Sequence, residues 1–153
     1  MHDFFARLQL EAYAKTSGSR GMHVFIPIEP RYRFDQTLRW AERVAILVAR
    51  ENPKSATVER TLNRRKQNQV YIDHLQNAKG KSIAAAYSVR ARKEATVSTP
   101  LEWKEVLHHV SPQDFTLKTM PERLVQKQDL FKPVLERKQN LDDALERIKE
   151  MFK

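Results

Sequence analysis

Cysteine is absent from this sequence, which excludes disulfide staples and any zinc site built on thiolates. Glycine is scarce. Only three occur, and two of them, Gly18 and Gly21, stand in one short stretch, so backbone freedom is concentrated there. No run approaches the ~18 consecutive apolar residues that a membrane helix needs, and no membrane partner is expected. Met1 to Leu10 is apolar only at intervals and carries Asp3 and Arg7. It lacks the apolar core of a secretion signal, so the expected location is cytoplasmic. Repeats and low-complexity linkers are missing as well, which fits a single domain over 153 residues, a length that can bury a core.

Positive charge is what the sequence has in excess. Lys and Arg number 28 against 19 Asp and Glu, a formal charge of +9. Such an imbalance concentrates polyanions near the surface, and nucleic acid or nucleotide is the expected partner class. A basic surface with no dedicated ligand has the same composition.

The periodicities predict an α+β fold, a small mixed or antiparallel sheet with flanking helices. Asp3 to Ala14 has Phe4, Phe5, Leu8 and Ala12 at helical spacing. A loop follows from Lys15 to Gly21, then a strand from Met22 to Ile28, stopped by Pro27 and Pro30. Asp35 can cap a long helix to about Arg50, with Leu38, Ala41, Val44, Ala45 and Val48 on one face. A short helix is expected over Val58 to Arg65, a strand over Val70 to Asp73, and extended chain over Tyr87 to Val97. Thr99, Pro100 and Glu102 read as a capping box opening a helix through His109. Thr119 and Glu122 repeat the signature for a short helix near Leu124. Asn140 and Asp143 start a last helix carrying Leu141, Ala144, Leu145, Ile148 and Phe152 as one stripe.

Three places could carry chemistry. In the loop Thr16 to Gly21, the glycines let backbone N–H groups converge on an anion, and Ser17, Ser19 and Arg20 add donors. His23, at the entrance of the next strand, could reach a phosphate. The same residues also fit a plain connecting loop. Asp73 ends the apolar run Val70-Tyr71-Ile72, where a carboxylate suits a metal ion, although Asn77 and Gly80 nearby fit a simple turn. Ser88, Arg90 and Arg92 alternate, which in an extended chain points them one way, the two guanidinium groups ~7 Å apart. A triphosphate would suit that span, since guanidinium forks match phosphate oxygens. Solvated edge charges are the alternative. Arg60, Arg64, Arg65 and Lys66 could follow a phosphate backbone or form a solvated face. His108 and His109 diverge on a helix and receive no role, and no Ser/His/Asp triad is present.

The segments Lys15 to Val24 (KTSGSRGMHV), Tyr71 to Asn77 (YIDHLQN) and Ala85 to Arg92 (AAYSVRAR), in that order, resemble the polymerase domain of bacterial ATP-dependent DNA ligase D. That domain is a branch of the archaeo-eukaryotic primase superfamily. Val97 to Trp103 and Asp114 to Thr116 are similar to the same family. The resemblance implies a nucleotidyltransferase that extends or fills DNA ends in non-homologous end joining. It further implies two divalent ions, Mn2+ or Mg2+, a nucleoside triphosphate substrate, and action beside Ku and the ligase. By the same resemblance Ser17 and His23 contact the nucleotide's phosphates, Arg90 and Arg92 hold the triphosphate, and Asp73 is a metal-binding catalytic carboxylate. Gln76, where some relatives carry arginine, receives no role.

The family also has an Asp-x-Asp pair on a strand ahead of the Ser/Gly loop, and this sequence begins inside the helix after it. The expectation is therefore a C-terminal part of the polymerase domain, lacking two of three metal-binding carboxylates. Two neighbouring cations need several anionic ligands, so such a chain is expected to bind a triphosphate without extending a primer alone. A shortened sheet is also expected to leave an unpaired edge through which the chain self-associates. The alternative function is a non-catalytic nucleic-acid-binding module.

Overall fold

The computed structural model describes residues 1–108 and 110–152. Helix α1, His2–Arg7, buries Phe4 and Phe5 and turns out of the helix at Leu8. Gln9 takes a φ of 58°, and Leu10 re-enters the core. The helix expected to continue through Ala14 therefore stops early. Tyr13–Thr16 is instead strand β1, which pairs antiparallel with β2, Met22–Phe25. The register sets Ala14 opposite Val24 and Lys15 opposite His23.

Helix α2, Phe34–Glu51, follows the predicted stripe and buries Trp40, Val44, Ala45, Leu47 and Val48. Its cap is Arg33 rather than Asp35. The Arg33 N–H donates to Gln36 Oε1 at 2.8 Å, while Asp35 sits inside the first turn, paired with Arg33. The expected helix from Val58 to Arg65 is only a 3-10 turn, Leu62–Arg64. It separates β3, Ala56–Thr57, from β4, Val70–Tyr71. These two strands pair parallel in a sheet of their own.

Tyr87 to Ser98 folds back on itself. Val89 bridges Val97 in antiparallel sense, and the far side of that hairpin meets Phe115 and Thr116. Thr99, Pro100 and Glu102 do not open a helix at Pro100. Thr99 exchanges backbone and side-chain hydrogen bonds with Thr16, and Pro100–Leu101 becomes β5. This completes an antiparallel sheet in the order β2-β1-β5, with proline on an edge strand, where its missing N–H is tolerated. Helix α3, Trp103–Leu107, starts after Glu102, whose N–H is taken by Glu105. His109, expected to close that helix, lies outside the described residues. Helices α4, Met120–Lys127, and α6, Asp142–Met151, match expectation. Between them α5, Lys132–Glu136, carries no strong sequence signal. The cap of α6 is Leu141, with Asn140 Oδ1 accepting the Asp142 N–H, rather than Asp143.

One core lies where α1, α2 and α6 cover a face of the β1–β2 pair, centred on Phe5, Trp40, Val44 and Ile148. A smaller one gathers Val97, Leu101, Phe115 and Met120. Strand alternation sends Ala14 and Val24 to the first core and leaves Lys15 and His23 together on the opposite face.

Candidate functional site

The face that carries Lys15 and His23 is built from three stretches: β1, the loop after it, and the hairpin around Arg90. Lys15 is fully buried. Its ammonium donates to Ser98 Oγ and, at 3.4 Å, to the Thr16 carbonyl. Ser98 passes its own hydroxyl proton to that same carbonyl at 2.9 Å. Thr16, Thr96, Ser98 and Thr99 are buried with it, and Thr96 donates to the Gly18 carbonyl at 2.6 Å. A polar seam thus ties the loop's first half to residues 96–99. Buried hydroxyls that find partners in this way fix one backbone arrangement.

The loop itself is organised by Ser17. Its Oγ accepts the N–H groups of Ser19 and Gly21, each at 3.2 Å, and its backbone N–H donates to the Gly21 carbonyl at 2.8 Å. The N–H groups expected to converge on an external anion therefore converge first on this hydroxyl, whose own proton is left to donate elsewhere. Gly18 has a φ of +65°, and a Cβ there would lie 2.5 Å from Arg90 Cγ. The glycine is needed so that the Arg90 side chain can cross the loop.

Arg92 arrives by a different route from the one its spacing suggests. The chain is extended through Arg90, whose N–H meets the Thr96 carbonyl, but Arg92 N–H turns back to the Arg90 carbonyl at 2.7 Å. Its guanidinium then reaches Ser19 Oγ at 2.8 Å. Ser17, Ser19, His23, Arg90 and Arg92 are thus brought to one loop, with Arg20 exposed at its tip.

The charges of this face are uncompensated. No carboxylate of the described residues lies within 4.0 Å of Lys15, Arg20, Arg90 or Arg92; the ion pairs sit elsewhere. Burial, and then the nearby Arg90 charge, push the Lys15 ammonium down to about 8. Burial first, then Lys15 and Arg90, push His23 down to about 4. At neutral pH the imidazole is uncharged, and its Nδ1 is buried without a partner among the described residues. The buried place of Lys15 beneath the loop was missed because a lysine inside a four-residue strand reads as loop. The only signal for it was its place two residues ahead of Ser17.

Asp73 stands apart. Its Oδ1 accepts the Leu75 N–H at 3.0 Å, closing the turn after β4. The residue lines a cavity of about 140 Å³ with Phe5, Val24, Ile26, Trp40 and Ile72. Val24 and Ile26, which alternate with His23 and Phe25, form part of its wall and pack with Ile72 against the first core. The strand before Asp73, β4, pairs with β3 and not with the antiparallel sheet. Among the described residues, no three His, Asp or Glu side chains come together for a cation. A hard divalent ion takes about six oxygen ligands, and Asp73 by itself does not meet that requirement.

The model of the family described as "LigD, primase-polymerase domain" matches residues 1–131. A multifunctional non-homologous end joining protein LigD of Pseudomonas aeruginosa is 36% identical over 118 residues, 76% of this chain and 14% of that protein. The bifunctional LigD of Bacillus subtilis is 33% identical over 116 residues, 75% of this chain and 19% of that protein. The chain therefore spans less than a fifth of the length of these curated relatives. Among solved structures, the polymerase domain of Mycobacterium tuberculosis ligase D in complex with DNA superposes with a TM-score of 0.77 at 26% identity. That match covers 90% of this chain and 47% of the solved one. With the model matched over most of its length and two relatives above 30% identity, this chain belongs to the LigD primase-polymerase domain family.

Proposed function

We propose that the chain is the nucleotide-binding part of a DNA-repair primase-polymerase, serving nucleotidyl transfer at DNA ends in non-homologous end joining. Arg90 and Arg92 grip the triphosphate with their guanidinium forks, Ser17, Ser19 and Arg20 donate from the loop, and His23 closes the site from β2. Asp73 contributes one carboxylate toward Mn2+ or Mg2+, with the other ligands coming from outside the described residues. Ku and an ATP-dependent ligase are the proposed partners in the repair reaction. One observation supports this reading above the others. The cationic groups around Ser17 to Gly21 have no carboxylate partner among the described residues, and cations that repel one another favour an arriving polyanion.

A second reading has its own support. Arg60, Arg64 and Lys66 are exposed around Leu62, itself 79% exposed, and such a patch suits non-specific nucleic-acid binding. Calorimetry with a nucleoside triphosphate and with duplex DNA, each at two salt concentrations, separates the two. The first reading expects saturable triphosphate binding. DNA binding that falls steeply with salt, with no saturable triphosphate binding, would replace the first reading with the second.

A further inference from the structure

Lys15 lies under the site, not in it. It is fully buried, stands directly opposite His23 in the β1–β2 register, and is fastened to Ser98 and to the Thr16 carbonyl of its own strand. Its ammonium also sits 5.8 Å from the centre of the Phe25 ring, which in turn packs edge-on against Phe131. A lysine held in this way cannot reach out to a ligand. It can only set the field in which the ligand's own contacts operate.

His23 feels that field most. The charged groups facing it are Lys15 from β1 and Arg90 from the hairpin. Phe25 on its own strand contacts it edge-on, and Asp129, on the segment leading to α5, is engaged by the Tyr87 hydroxyl. Among the described residues no anion balances the two cations, and the imidazole Nδ1 has no partner. We infer that Lys15 is a positioning residue that makes His23 a binding-coupled proton acceptor: the imidazole is neutral in the empty site and takes a proton from solvent when a phosphate anion arrives. The inference rests on the proposed triphosphate site. The physics is a change of sign: with two fixed cations as neighbours an imidazolium is disfavoured, and with a polyphosphate beside them it is favoured. The depression of His23 to about 4 by burial, Lys15 and Arg90 agrees with this in the free protein.

The sign of the pH dependence follows. Since the anion raises the affinity of His23 for its proton, the proton raises the affinity for the anion by the same factor. Affinity therefore increases as pH falls, between the midpoint of the bound form and that of the free form, by at most about tenfold per pH unit. The part played by Lys15 is read separately, from the free His23 midpoint with and without it.

The test uses the 153-residue chain and inorganic tripolyphosphate without metal. Imidazole resonances of His23 are followed over pH, free and saturated, in the wild type, Lys15→Met and Lys15→Arg. Calorimetry in buffers of different ionisation enthalpy reads the protons taken up on binding. The expected result is a His23 midpoint that rises by about one unit or more with tripolyphosphate and rises also in free Lys15→Met. It should return to a low value in Lys15→Arg, with net proton uptake in the wild type. A midpoint indifferent to both tripolyphosphate and Lys15→Met, or binding with no proton uptake, overturns the inference. If Lys15→Met does not fold, the wild type with and without tripolyphosphate decides alone. If the folded wild type binds no tripolyphosphate, the proposed function fails. The Lys15–His23 coupling is then still judged by the free midpoints of the wild type and Lys15→Met or, should that variant not fold, Lys15→Gln.

Discussion

Replacing Arg90 by alanine is expected to weaken triphosphate binding by about 10- to 100-fold, the effect of losing hydrogen bonds to a charged partner. Arg90 Cγ lies directly over Gly18, so the side chain is aimed across the loop and is close enough to depress both Lys15 and His23. Arg90→Lys keeps the charge but loses the planar fork, and is expected to recover only part of the affinity. The unfolding midpoint should move little, because the backbone bond from Arg90 N–H to the Thr96 carbonyl survives both changes. Calorimetry with a nucleoside triphosphate checks this, and a loss below threefold would remove Arg90 from the site.

Gly18→Ala is expected to cost about 2 to 4 kcal/mol of folding stability. Part is the positive φ of +65°, worth roughly 1 kcal/mol for a residue with a Cβ. The rest is overpacking of about 1–3 kcal/mol. The new Cβ would stand 2.5 Å from Arg90 Cγ, 3.0 Å from Ser98 N and 3.1 Å from the Val97 carbonyl carbon. The backbone on that side cannot give way, since Ser98 N–H is bonded to the Ser88 carbonyl and Val97 N–H to that of Phe115. Arg90 must therefore swing out, and triphosphate affinity should fall with stability. Gly21→Ala is the control: nothing lies within 4 Å of its Cβ position, and a change within about 0.5 kcal/mol is expected. Urea unfolding of the two variants provides the comparison, and equal midpoints would contradict the packing described.

The helices were the most legible part of the sequence. The stripes of α2 and α6 repeat at helical spacing, and Val44, Ala45, Val48, Leu141, Ala144 and Ile148 are buried along them, while Phe152, read into the α6 stripe, is exposed. Short elements were less so, because local pattern competes with tertiary partners. Phe4, Phe5, Leu8 and Ala12 keep a helical spacing past the point where Gln9 turns the chain, and no glycine or proline announces the break. Thr99-Pro100-Glu102 has the composition of a helix start, yet Thr16 takes the Thr99 N–H and draws the segment into the sheet.

The residues proposed for the site were readable as candidates, and the routes that bring them together were not. Ser17, Ser19, His23, Arg90 and Arg92 were named from the sequence and meet at one loop, but Arg92 gets there through a turn that its i, i+2 spacing does not encode. Asp73 was read as ending a strand and does follow β4, where it closes a turn and lines a cavity. Its position depends on β4 choosing β3 as partner, a long-range pairing that two-residue strands do not reveal. The buried lysine beneath the loop was invisible for a related reason: only the pairing of β1 with both neighbours makes Lys15 interior.

The most direct test of the triphosphate site is to map backbone amide resonances of the chain during titration with a nucleoside triphosphate. Saturable shifts centred on Ser17 to His23, Arg90, Arg92 and Ser98 are the expected result. Shifts centred on Arg60 to Lys66, or a spectrum unchanged at saturating nucleotide, would contradict it.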